Sequence, residues 1–483
     1  MSLVLALDQG TTGSTALVID AEGAVRGRAT REIPQHFPRP GWVEHDPDDL
    51  WRLTLDAARE AVRGARCAGK DLAAIGITNQ RETALLWDRA SGRPLHRAIV
   101  WQDRRTAERC RRLDAADIAR RTGLVPDPYF SATKLEWLLS NTNRSDALCG
   151  TVDTWLVSRL TKGRAHVTDP TNASRTMLYN IDTRDWDDVL LREFGVRREM
   201  LPEVRPSSGE FGVADAEWFG APIPVAGIAG DQQAALFGQG CVTPGTAKTT
   251  YGTGAFLLLN TGAQRVASSR GLLTTIACDA AGRPVYALEG SIFIAGAAVQ
   301  WLRDGLGLIA EARETEALAR SVADTGGVVF VPALTGLGAP HWEPEARGAI
   351  YGLTRGTTTA HLARATLESM AFATREVLDA MTHDAGLALA DLKVDGGATA
   401  NDWLMQFQAD VLGVPVRRPD LLESTAFGAA GLAGLATGVW KSAADLEATR
   451  HYRSFQPGSL PEGRWLEWGR AVRATLAWAR NAP

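Results

Sequence analysis

Three short stretches hold the residues of this chain best suited to gripping phosphate. The first, Asp8-Gln9-Gly10-Thr11-Thr12-Gly13-Ser14-Thr15, sets one carboxylate ahead of glycines and hydroxyls. Backbone N–H groups approach an anion closely only where side chains are small, hydroxyls add further donors, and an acid beside phosphates is best tolerated when it faces a metal ion. The second stretch, Tyr251-Gly252-Thr253-Gly254, repeats the device near mid-chain. The third, Val394-Asp395-Gly396-Gly397-Ala398-Thr399-Ala400-Asn401, again puts an acid before glycines. Taken singly, each is equally a permissive turn.

Such loops need elements to aim them. Leu5 and Leu7 before the first loop, and Leu17, Val18 and Ile19 after it, predict strands on either side of a loop from Gly10 to Thr15. Phe256 to Leu259 predicts a strand after the second, as though the second half of the chain opened as the first does. Residues 392–413 predict a strand, a Gly-Gly turn and a helix with Asn401 as its N-cap and Gly413 as its stop. Two further strands, Ala73 to Ile77 and Val225 to Ile228, end at Thr78-Asn79-Gln80-Arg81-Glu82 and at Gly230-Asp231-Gln232-Gln233. The carboxyl ends of strands are where ligands sit in α/β domains. Asp46-Pro47-Asp48-Asp49, followed by Leu50, Trp51, Ala57, Ala58, Ala61 and Val62, predicts a capped amphipathic helix. Strands alternating with helices give an α/β class. Two halves that open alike would face each other across a cleft, with one phosphate loop from each.

With 483 residues the chain exceeds one typical core and predicts two domains of roughly 200 residues or more. The expected cut falls between 1–240 and 241–483. A net charge of −4 argues against a generic nucleic-acid binder or a basic membrane-surface protein. The five cysteines, Cys67, Cys110, Cys149, Cys241 and Cys278, are dispersed and show no C-x-x-C spacing, so neither a disulfide framework nor a cysteine-rich zinc site is expected. The opening MSLVLALDQG has no basic segment and no run approaches eighteen apolar residues, which predicts a soluble, cytoplasmic protein without stable membrane insertion. Gly64 to Lys70 approaches the P-loop pattern, yet Asp71 stands where Ser or Thr is required and the segment follows a helix. No G-x-G-x-x-G opens a βαβ unit, and H-E-x-x-H is absent.

The stretches "DQGTTGS", "PGWVEHDP", "IGITNQRET", "DPYFSATK", "TVDTWL", "TNASRTML", "GIAGDQQAALFGQ", "YGTGAF", "ALEGSIFIAGAAVQWLRD", "GLGAPHW", "GAIYGLTRG" and "VDGGATAN" run in this order along nearly the whole chain. The set resembles the glycerol kinases of the FGGY carbohydrate kinase family. The resemblance implies a two-lobed actin/Hsp70-like ATPase (ribonuclease H-like) fold with ATP in the interlobe cleft. It implies transfer of phosphate from ATP with Mg²⁺ to glycerol, in a homodimer or homotetramer. Thr11, Thr12 and Gly13 are similar to the family's first phosphate loop, and Asp8 to the acid that places Mg²⁺ and its waters. Gly252, Thr253 and Gly254 match the second loop, Gly296 and Gln300 nucleotide-side contacts, and Gly397 and Asn401 the adenosine pocket. On the acceptor side the match points to Arg81, Glu82, Tyr129, Asp231 and Gln232, with Trp101 and Phe256 against the carbon chain and Asp231 as general base.

By the same resemblance Asp395 contributes through the metal's water shell, while Asp153 is expected to cap or to bond backbone. Thr15 departs from the family, whose members often carry arginine there. Val204 to Pro224 contains no histidine, and Gly220-Ala221-Pro222-Ile223-Pro224 lacks a glycine run and an arginine, so control by fructose 1,6-bisphosphate or by histidine phosphorylation is not expected. A pentulose or hexulose kinase would share the nucleotide loops but not the Arg-Glu, Trp and Phe set. A nucleotide switch that binds proteins has no need of a triol pocket.

Overall fold

The structure, a computed structural model, describes residues 2–142, 144, 146–460 and 462–480. Two sheets of like plan organise it. In the first, Leu3–Gln9 and Gly13–Asp20 form an antiparallel hairpin, and Val25–Glu32 extends it. On the other side of Leu3–Gln9 lie Leu72–Asn79 and Ile223–Gly230, both parallel to it, with Ser208–Ala214 antiparallel at the edge. The second sheet repeats the scheme. Ala247–Tyr251 and Ala255–Gly262 form the hairpin, Pro284–Ile292 and Leu273–Cys278 extend it, Leu392–Asp395 and Val416–Pro419 run parallel on the far side, and Tyr452–Phe455 closes the edge. This is the two-lobed mixed α/β architecture expected.

Register brings the site together. Asp8 stands opposite Thr78, Gln9 opposite Asn79, and Gly230 opposite Asn79. Three parallel strands therefore end level, and the residues just beyond them share one edge. In the second sheet Thr250 stands opposite Asp395, so the Gly252–Gly254 turn and the Gly396-Gly397 turn also emerge together.

The first sheet is buried on both faces, as its near-continuous apolar strands require. Leu3, Leu5 and Leu7 pack toward the helix Pro47–Gly64, with Leu50, Trp51, Ala57, Ala58 and Ala61 on its buried stripe. That helix starts as predicted, with Pro47 in its first turn and the Asp46 carboxylate accepting from Asp48 N at 2.9 Å. Val4, Ala6, Leu17 and Ile19 face the other way, against Ala426, Phe427, Ala430 and Ala433 of the helix Ser424–Ala436. Each sheet is thus drawn from one side of residue 240, whereas this helix of the second half covers the first sheet. Its approach depends on missing side chains. A Cβ at Gly76 would lie 2.1 Å from Ala429 O, and one at Gly428 only 1.9 Å from Ala234 O. In the second lobe the long helix Thr359–Ala385 supplies Leu367, Met370, Phe372 and Val377 to the core over Leu257, Leu259 and Leu288.

Predicted strands are present but longer than their apolar cores suggested: Leu72–Asn79 for 73–77, Ile223–Gly230 for 225–228, and Ala255–Gly262 for 256–259. The first loop is shorter than expected. Gly13, Ser14 and Thr15 already pair with Glu32, Arg31 and Thr30, because Gly10 N donates to Gly13 O at 2.9 Å and closes the turn at once. All five cysteines are free. Among the described residues no helix is long and apolar enough to cross a membrane.

Candidate active site

The first glycine-threonine turn is braced from behind. Gln9 Nε2 donates to Gly10 O, and Gln80, from the adjacent parallel strand's end, donates to Gln9 Oε1 at 3.1 Å and Gly10 O at 3.3 Å. Trp101 Nε1 donates to Thr11 Oγ1 at 2.8 Å, tying the loop to the Trp101–Tyr129 aromatic pair. Thr12 is exposed at the tip. Thr15 bonds Thr30 Oγ1 across the sheet at 3.0 Å.

The second turn is locked to a helix start. Gly296 N donates to Gly252 O at 3.0 Å, and Ala295 N and Ala297 N donate to Thr253 O at 2.9 and 3.0 Å. Gly296 must lack a side chain here, since its Cβ would sit 2.6 Å from Gly252 O. Gln300 ends the same short helix, Gly296–Gln300, with its side chain exposed. At the third turn Gly396 adopts φ +91°, against the backbone of Tyr251. Gly397 faces open space, where a Cβ would meet no other atom within 4 Å. Asn401 caps the helix Asp402–Leu412 by accepting from Leu404 N at 2.9 Å, its amide donates to Thr315 Oγ1, and Gly413 ends the helix in the left-handed region. The Asn401 side chain is therefore engaged in holding its own turn.

The expected Arg81–Glu82 pair is buried, but the two chiefly hold other partners. Arg81 donates to Glu289 through Nη1 at 2.6 Å and Nη2 at 3.1 Å, and reaches Gln233 Oε1 and Tyr129 Oη at 3.2 and 3.3 Å. Its Nε lies 3.2 Å from Asp231 Oδ1 and 3.7 Å from Glu82. Glu82, at φ +62°, a conformation few non-glycine residues adopt, accepts instead from Arg175 Nε at 2.6 Å, and Arg175 also reaches Glu289 at 3.0 Å. Burial opposes ionisation of Glu289, but Arg175 and Arg81 hold its carboxyl down to about 2. Burial pushes Glu82 up, with the same two guanidiniums offsetting it. Tyr129 packs edge-on to Trp101 at 5.5 Å, and Lys134 fixes its turn by donating to the carbonyls of Pro128 and Tyr129.

Asp231 opens the helix Asp231–Gly238, accepts from Gln232 N at 2.7 Å, and stays one-third exposed. Lys248, fully buried on Ala247–Tyr251, donates to Gln232 Oε1. Asp8 is pushed up to about 7 by burial and by the nearby carboxylates of Asp231 and Glu423. Asp395 accepts from Gln239 Nε2 at 3.1 Å through one oxygen, while the other is buried without a partner. Among the described residues no three His, Cys, Asp or Glu side chains gather closely enough to ligate an ion by themselves. A site with one or two carboxylates suits a cation that keeps its waters and takes phosphate oxygens, the habit of Mg²⁺.

Contacts link Arg81, Glu82, Trp101, Tyr129, Asp231 and Gln232 into one cluster beyond the carboxyl ends of Leu72–Asn79 and Ile223–Gly230, with Thr11 tied to it through Trp101. Phe256, Thr253, Gly296, Gln300, Gly397 and Asn401 belong to the second lobe's turns and strands. Asp153 bonds backbone, at Thr154, as expected. Its carboxylate also takes the hydroxyls of Thr151 and Thr168, and burial raises it to about 6. Sequence reasoning missed Arg175, Glu289, Lys248 and Gln233. The available signal was a charge inside an otherwise apolar strand, as Glu289 is in Pro284–Ile292.

Comparison with known proteins matches residues 3–238 to the N-terminal domain, and 247–437 to the C-terminal domain, of the FGGY family of carbohydrate kinases. A glycerol kinase of Bordetella parapertussis is 54% identical over 99% of this chain and 98% of its own length, and one of Dechloromonas aromatica is 55% identical with the same coverage. The crystal structure of Plasmodium falciparum glycerol kinase with ADP superposes with a TM-score of 0.92 at 37% identity, over 99% of this chain and 98% of that one.

Proposed function

The chain belongs to the FGGY family of carbohydrate kinases, and from that membership we propose that it transfers the γ-phosphoryl group of ATP to glycerol, giving sn-glycerol 3-phosphate and ADP. The observation that carries this reading is the acceptor edge itself. Arg81 and Gln232 N both hold the Asp231 carboxylate just beyond the end of the strand Ile223–Gly230, in a chain similar over its full length to relatives named for that activity.

Asp231 accepts the proton of the terminal hydroxyl as that oxygen attacks the γ-phosphorus in line. Its carboxylate is anchored by Arg81 Nε and the Gln232 N–H and keeps an open side for the alcohol. Arg81, Glu82 and Gln232 place the hydroxyls of the triol, while Trp101 and Phe256 cover its CH groups. A buried polar group left unpaired on either side costs about 1–3 kcal/mol, which favours an acceptor that satisfies this donor and acceptor set. The backbone N–H groups of the Thr11-Thr12-Gly13 and Gly252-Thr253-Gly254 turns hold the phosphates, and Gly397 leaves room on the adenosine side. Mg²⁺ bound with the nucleotide would be held through Asp8, with Asp395 in its water shell, and would neutralise charge on the β- and γ-phosphates. In chain order we assign residues 1–240 to the lobe of the acceptor site and base, and 241–483 to the lobe of the second loop, the helix Ser424–Ala436 excepted.

A coupled assay for ADP with Mg²⁺-ATP and glycerol, dihydroxyacetone, xylulose and gluconate in parallel tests the proposal. Glycerol should be turned over with the highest kcat/KM. Preference for a pentulose or gluconate would overturn the substrate, and turnover of none would overturn the activity.

A further inference from the structure

We propose that Lys248 is a positioning residue of the acceptor site: its ammonium fixes the Gln232 amide so that the –NH₂ end, and not the oxygen, faces the alcohol. The proposal rests on the reading of Gln232 as an acceptor-side residue. Lys248 lies on the strand Ala247–Tyr251, which leads directly into the second phosphate turn, and it is fully buried. Its Nζ reaches across the lobes to Gln232 Oε1 and along its own strand to Thr250 Oγ1 at 2.8 Å. An ammonium only donates, whereas an amide donates at one end and accepts at the other. Gln232 must therefore turn its oxygen to Lys248, and its Nε2 makes no hydrogen bond to protein among the described residues.

The groups facing the ammonium keep it charged at neutral pH. Burial lowers it to about 8, Arg81 adds to that, and Asp395, Asp231 and Glu289 oppose it. Adjacent side chains then differ in kind: Asp231 can only accept a hydrogen bond from the acceptor and Gln232 can only donate one. A diol meets this pair with one hydroxyl giving its proton and the neighbouring oxygen receiving an N–H. The same lysine makes that arrangement depend on the strand that carries the second phosphate turn.

Gln232→Ala, Gln232→Glu, Lys248→Met and the Gln232→Ala/Lys248→Met double variant test this through KM for glycerol, KM for Mg²⁺-ATP and thermal midpoints. Gln232→Ala should raise the glycerol KM roughly tenfold. Gln232→Glu keeps a partner for the ammonium, so it should fold as stably as the parent while losing the donor and raising glycerol KM at least as much. Lys248→Met should raise glycerol KM with that for Mg²⁺-ATP unchanged, and should add less than about threefold in the Gln232→Ala background. A parental glycerol KM in Gln232→Glu, where Gln232→Ala is impaired, would show the oxygen facing the alcohol and overturn the proposal. Full multiplication of the two effects in the double variant would do the same. An unimpaired Gln232→Ala would instead remove Gln232 from the acceptor site, and the inference with it.

Discussion

Glu289 clasps Arg81 with both carboxylate oxygens, at 2.6 and 3.1 Å, although 208 positions separate them in the chain. The carboxylate comes from the second sheet and the guanidinium from just beyond the carboxyl end of Leu72–Asn79 in the first. With Arg175 on the same carboxylate, and Glu82 on Arg175, two cations and two anions are interlocked out of water. This charged cluster is in this way assembled by both lobes at once.

Removing one charge from such a set leaves the others uncompensated. Glu289→Gln should destabilise the fold by about 3–5 kcal/mol and raise the glycerol KM, as Arg81 loses its anchor. The sign of the pH effect follows from a folded carboxyl held near 2 against an ordinary 4.5. Its stabilisation is complete above the ordinary value and is lost as pH falls from there toward the folded one. Urea midpoints measured from pH 6 to pH 2 should show an acid-sensitive component in the parent that the variant lacks. Parallel curves would mean that the clasp adds nothing to stability.

Asp231→Asn keeps side-chain size but cannot take up a proton. It should lower kcat by about 10²–10⁴ with little change in glycerol binding by calorimetry. Retention of kcat within about threefold would contradict the base assignment and shift attention to Glu82.

Asp8 is half-buried near two other carboxylates, an arrangement that costs stability until a cation arrives. Asp8→Asn should accordingly raise the thermal midpoint of the nucleotide-free protein at pH 8 while increasing the Mg²⁺ concentration needed for half-maximal turnover. A variant less stable than the parent, with unchanged metal dependence, would remove Asp8 from the metal's surroundings.

Gly397 separates packing from binding. Its Cβ position is open, so Gly397→Ala should leave stability within about 0.5 kcal/mol. If nucleotide lies there, KM for Mg²⁺-ATP should rise and that for glycerol should not. An unaltered nucleotide KM would place adenosine elsewhere.

What the sequence makes legible is local. The two glycine-threonine turns each sit inside one hairpin, Asp46 caps the helix that it immediately precedes, and Asn401 and Gly413 bracket a single helix. Asp231 is visible because it follows a strand, whose carboxyl end is a ligand position in any α/β sheet. Arg175, Glu289 and Lys248 are opaque for the opposite reason. Their partners, Glu82, Arg81 and Gln232, lie on other elements, and only the register of two sheets brings them together. The placement of helix Ser424–Ala436 is hidden likewise, since its run of alanines and glycines fits any close interface and names none.

That helix has a consequence for biosynthesis. As the chain leaves the ribosome, the strands of the first sheet are complete by Gly230, yet Val4, Ala6, Leu17 and Ile19 stay uncovered until residue 436 has been made. The first lobe therefore cannot mature as an independent unit ahead of the second. A fragment ending at 240 keeps Ala234 and Phe237 on that face but leaves Val4, Ala6, Leu17 and Ile19 without their cover from the helix Ser424–Ala436.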